Sequence, residues 1–129
     1  MTPTDLQKIA AEARALSTRR AESTARITTA IIDTLRAEGR TFEIEYTWRH
    51  AQRTTRSGRR VPGRVDIAII DPDTGEPVVF IEIDSANKAW SLHKLATAAQ
   101  RGIRAIWLRH GGHPPSGTIP DGVTVIHVP

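Results

Sequence analysis

Residues 64–84 constrain the fold most. Two apolar segments, 64–70 (RVDIAII) and 78–84 (VVFIEID), flank the stretch 71–77 (DPDTGEP). Short runs rich in β-branched residues and bounded by turn-forming residues read as strands. A link of this length makes them neighbours in an antiparallel hairpin. Both strands carry acids where a core-facing strand has little use for them: Asp66 in the first, Glu82 and Asp84 in the second. Residues two apart on a strand share a face, so Glu82 and Asp84 point the same way. The right hairpin register brings Asp66 beside them. Three adjoining carboxylates repel one another unless a divalent cation or an ammonium group neutralises them. Carboxylate oxygens with a few waters suit Mg²⁺, and a metal held that way activates water and stabilises charge on a phosphoryl oxygen. A plainer reading has Asp84 capping the turn into the next helix and Asp66 paired with Arg64 or Arg104.

The flanking elements follow from periodicity. Thr4 and Gln7 have the spacing of a capping box. Leu6, Ile9, Ala13 and Leu16, then Ile27, Ala30, Ile31 and Leu35, recur at helical intervals across an N-terminal region spanning 1–40. Ser17-Thr18 either starts a second helix or weakens one long one, and Glu38-Gly39 stops it. From Thr41 the period becomes two, with Phe42, Ile44, Tyr46 and Trp48 alternating with polar residues, which predicts a half-buried strand over 41–48. Asn87 is placed to cap a helix running to about Arg101, with Leu92, Leu95, Ala96 and Ala99 on its buried stripe. Residues 104–109 and 123–128 read as two last strands, separated by a proline- and glycine-rich loop at 111–122. The chain is therefore expected to be α/β, one domain over 1–129, with a short mixed sheet between helices.

Charge is concentrated. The net charge is +4, and residues 49–64 hold Arg49, Arg53, Arg56, Arg59, Arg60 and Arg64 with no acid among them. Removing those six positive charges leaves −2, so the basicity belongs to one patch, as on a phosphate-binding surface. The expected form of 49–62 is a basic loop or a long hairpin arm; a solvated loop without a ligand is the plain alternative. Cysteine is absent, which excludes a disulfide framework, a thiolate zinc site and a cysteine nucleophile. No apolar run is long enough for a membrane helix, and a cytoplasmic location without membrane contact is expected. Phosphate loops of the P-loop or dinucleotide type and nucleophile elbows are also missing.

The order helix, Asp66 strand, hairpin, Glu82-Ile83-Asp84, helix, strand resembles the PD-(D/E)XK phosphodiesterase superfamily over roughly residues 41–109, with the first helix as its N-terminal flank. The resemblance implies a restriction-endonuclease-like αβββαβ core and Mg²⁺-dependent (or Mn²⁺-dependent) hydrolysis of nucleic-acid phosphodiesters. Asp66 and Glu82 then hold the metal. The superfamily usually has lysine two residues after the second acid, and here that residue is Asp84. Some restriction endonucleases of the superfamily carry an acid in this slot, so Asp84 is expected as a further metal ligand or a positioner of the attacking water. Lys88 is the candidate ammonium, since on a helical wheel it falls about 20° from Leu95, on the sheet-facing side; the plain alternative has it extending to water. Other members place a glutamate of the first helix near the metal. Glu22 is the candidate by position, but it falls about 140° from Ile27 on the wheel, which favours a solvated residue paired with Arg26. Ser91 and Lys94 share a helix edge, and Lys94 joins the six arginines as a phosphate contact. Trp90 is read as packing, or as a platform for a base. His110 and His113 are expected in solvent. The function implied is a Mg²⁺-dependent DNA endonuclease, acting alone, as a homodimer or in a larger complex. The alternatives are a catalytically inactive module of the same fold that binds nucleic acid or a protein, and an assembly factor that pairs through the edge strand 41–48 or 123–128.

Overall fold

In a computed structural model, residues 1–17 and 19–129 are described, apart from the side chains of Arg20 and Ala21. The elements run α1 (Pro3–Ala15), α2 (Arg20–Ala37), β1 (Phe42–Thr54), β2 (Arg60–Ile70), β3 (Pro77–Asp84), α3 (Ala89–Gln100), β4 (Arg104–His110) and β5 (Val123–Val128). The protein is thus α/β, with a five-stranded mixed sheet and three helices among the described residues. The strands lie in chain order, antiparallel from β1 to β3 and parallel from β3 to β5.

Each helix buries its stripe against one face of the sheet. Leu6 and Ala10 of α1 and Ile27, Ile31 and Leu35 of α2 pack on Ile67, Ile69, Ile81, Ile83, Ile106 and Leu108. On the opposite face Leu95 and Ala98 of α3 meet Trp48, Val65, Ala68, Phe80, Ala105 and Trp107. Sandwiched between helical layers, β3 and β4 are apolar on both faces, as parallel strands must be. Trp48 stands edge-on to Phe80 at 4.9 Å, and its indole N–H donates to Thr97 Oγ1 at 2.9 Å, which ties β1 to α3.

Several local expectations change. The capping box is formed by Thr2 and Asp5, two residues earlier than Thr4 and Gln7, because Pro3 takes the first helical position, where its missing N–H costs nothing. The chain leaves the helical path after Ala15 and re-enters at Arg20, giving two helices; Thr18 as a starting residue lies outside the described residues. Of the two forms expected for 49–62, loop or long hairpin arm, the structure has the arm, in which Thr54 pairs with Arg60 around a short turn at Gly58. The alternation of β1 fails at Glu45, whose φ of 51° lies in the left-handed region that glycine favours. As a result Phe42 packs with α1 and α2, Tyr46 and Trp48 pack with α3, and Ile44 is 56% exposed. Asn87 does not cap α3. Lys88 is the N-cap residue, without a side-chain hydrogen bond, while the Asn87 amide donates to Ser116 and its carbonyl oxygen accepts from Arg109.

Candidate functional site

The site forms where β2 leaves β3. Their ladder ends at the pair Ile67–Ile81, and β2 continues back to Arg60 with β1 as its paired neighbour. Beyond the last pair the backbone N–H of Ile83 would lack a partner. The Asp66 carboxylate fills the gap, accepting from Ile83 N at 2.7 Å. Asp66 is half-buried there and faces Glu82, the two carboxyl groups interacting side chain to side chain. Burial pushes the Asp66 pKa up, and the Asp84 charge adds to that, while the Ile83 N–H and Lys94 act the other way.

Glu82 is 2% exposed. Its pKa is pushed up to about 8, first by burial and then by the adjacent Asp66. The group that moderates this shift is Lys94 on α3. Its Nζ lies 2.7 Å from Glu82 Oε1 and donates to the Arg64 carbonyl at 2.6 Å, and the lysine side chain is 8% exposed. The contact with Glu82 has the distance of a tight, charge-assisted pair. Ser91, Lys94, Leu95 and Ala98 form the buried face of α3. Their spacing of three, four and seven is a regular helical stripe, and a lysine within it was the sequence signal for this residue.

Asp84 has other company. Its Oδ2 accepts from the Trp107 indole N–H at 2.9 Å, and its Oδ1 lies 3.6 Å from Lys88 Nζ. Lys88, 60% exposed at its side chain, thus reaches Asp84, one of the carboxylates expected of it. It does so from the residue before the helix, with φ −126° and ψ 111°, where the helical wheel does not apply. Among the described residues, no three His, Cys, Asp or Glu side chains are grouped to hold a metal ion. Asp66 and Glu82 supply two adjacent carboxylates, with Lys94 against one of them. That donor set fits Mg²⁺, which takes one or two carboxylates and keeps its waters, and does not fit a cation that needs an all-protein cage.

Asp66 and Lys94 open into a cleft of about 610 Å³, whose walls include Arg53, Arg59, Arg64, Glu45 and Trp90. The hairpin puts Arg53, Arg59 and Val61 on the cleft side, while Arg60 alternates away and bonds Gln52 at 3.1 Å. Arg56 lies in the exposed hairpin turn, and Arg49 is exposed on β1. Arg53 stacks over the Trp90 ring at 5.3 Å, and His93 lies parallel to that ring. Ser91, expected at a helix edge, is buried.

Three further residues lie away from the cleft. Glu22 pairs with Arg26 at 3.0 Å and lines a groove between α1 and α2. His110 is buried, contrary to its expected exposure, because β4 runs one residue further and carries it under α2, where Nε2 lies 2.7 Å from Thr24 Oγ1. His113 is exposed as expected. No helix among the described residues is long and apolar enough to cross a membrane. Comparison with protein-family models, with curated proteins and with solved structures gives no match.

Proposed function

We propose that this protein is a Mg²⁺-dependent nuclease with a restriction-endonuclease-like core, hydrolysing phosphodiester bonds in DNA. The observation that carries the reading is that Asp66 and Lys94 line an arginine-walled cleft, with Lys94 paired to the buried Glu82 behind them. An ammonium taken out of water costs several kcal/mol unless a paired carboxylate offsets it, and perturbed groups of this kind concentrate at functional sites. Asp66 and Glu82 are the residues to hold Mg²⁺ (or Mn²⁺), which when bound supplies an activated water and charge stabilisation at the phosphoryl oxygens. Lys94 takes the role first expected of Lys88: it keeps Glu82 poised and presents positive charge toward a phosphate in the cleft. Asp84, fixed by Trp107, adds negative charge behind Glu82. Arg53, Arg59 and Arg64 grip the nucleic-acid backbone, with Arg49, Arg56 and Arg60 extending the positive field along the hairpin. Such contacts position a substrate without reading its sequence.

A second reading has one observation in its favour. The described residues lack a three-ligand metal group, as in a catalytically inactive module that keeps the cleft and binds nucleic acid. Incubation with plasmid, linear and single-stranded DNA, in Mg²⁺, Mn²⁺ or EDTA, separates the two. The nuclease reading expects metal-dependent cleavage that Glu82→Ala abolishes. Salt-sensitive binding without cleavage of any substrate supports the inactive module.

A further inference from the structure

Seven glycines adopt positive φ, and their turns account for them. Gly63 does not. It is buried in β2 opposite Trp48, with φ outside the left-handed region. Glycine weakens a strand interior and there usually marks a close approach by another group. Here that group is Lys94. A Cβ on residue 63 would lie 2.8 Å from Lys94 Cδ, 3.0 Å from Lys94 Cγ and 3.2 Å from Trp90 Cζ2. The lysine cannot easily swing aside, because its Nζ is held by Glu82 at 2.7 Å and by the Arg64 carbonyl at 2.6 Å.

We infer that Gly63 is a positioning residue for Lys94: its bare backbone is the channel through which the lysine stem crosses β2 to reach Glu82. The inference adds to the nuclease reading, and in that reading Gly63 sets the catalytic ammonium. The placement of Lys94 can be tested without it.

The probe is an amine-reactive acylating reagent applied to the full chain, without metal or nucleic acid, with each modified lysine quantified by mass spectrometry. Lys88, 60% exposed, is the internal reference, and Lys94, 8% exposed, is the reporter. Gly63→Ala is expected to raise Lys94 labelling relative to Lys88 by at least about tenfold, since a buried amine reacts only after local opening. A purely structural role for Gly63 would not act selectively on one lysine. Gly63→Ala is also expected to lower the folded-to-unfolded ratio by about tenfold through overpacking, and to cost little in a Lys94→Ala background, where the clash is gone. If Gly63→Ala alone fails to fold, folding of Gly63→Ala/Lys94→Ala supports the inference, and failure of that double variant while Lys94→Ala folds overturns it. Unchanged Lys94 protection, or equal stability losses in the two backgrounds, would also overturn it. Increased labelling in a protein that cuts no DNA would leave Gly63's role intact and remove the nuclease reading.

Discussion

A carboxyl group as deeply buried as Glu82 is easier to keep neutral than charged. Its pKa of about 8 stands against an ordinary value of 4.5, so the folded state binds its proton more tightly than the unfolded chain does. The resulting stability is fully present below pH 4.5 and is lost as pH rises through 8. The groups facing Glu82 are Asp66 on β2, Asp84 on β3 and Lys94 on α3. In EDTA, the urea midpoint of the wild type is therefore expected to fall between pH 5 and pH 8, and that of Glu82→Gln to fall much less; parallel pH profiles would assign the effect elsewhere. At this scale the sequence was only partly legible. Acids inside apolar strands stand out, because the strand pattern leaves them no solvent. The lysine was harder to choose. On a wheel that assumes a helix from residue 88, Lys88 lies about 20° from Leu95 and Lys94 about 100° from it, at the edge of the apolar stripe; only the backbone places Lys88 before the first turn.

The β1–β2 hairpin is the element that turns a basic stretch into a surface. Alternation along it sends Arg53 and Arg59 into the cleft and Arg60 away from it. Each phosphate contact removed should lower the slope of log K against log[salt] by about 0.9. Arg53→Ala and Arg59→Ala are each expected to do so in DNA-binding titrations. Arg60→Ala should change the slope less; an equal effect from all three would mean that the patch acts as diffuse charge. The sequence marked the patch but not its shape. Arg, Ser, Gly and Thr between 49 and 62 read equally well as a loop, and what keeps them in a ladder is pairing with β2, a non-local interaction. The switch of faces at Glu45 was hidden for a similar reason: a left-handed glutamate leaves no mark on the apolar and polar pattern.

Across the whole molecule, the two cores on either side of one sheet fix the site. Phe80 is buried at the centre of the α3 face, against Trp48 and Tyr46. Phe80→Ala is expected to cost about 3–5 kcal/mol, read by urea denaturation; a loss under about 1 kcal/mol would mean that this core tolerates collapse. The layered α/β arrangement was legible from the order of periodicities alone, because each element's apolar face had only one kind of neighbour to meet. The divergence of β2 from β3, which creates the cleft, was not, since it depends on where one ladder ends.

The central claim is that Lys94, and not Lys88, supplies the ammonium of a phosphodiesterase centre. Single-turnover cleavage of plasmid DNA in Mg²⁺, comparing the wild type with Lys94→Met and Lys88→Met, tests it most directly. Lys94→Met should lower the rate at least about a hundredfold, the scale of removing one preorganised electrostatic group. Lys88→Met, which loses one exposed charge, should stay within about threefold. A Lys94→Met protein that is folded and cuts as fast as the wild type would contradict the account.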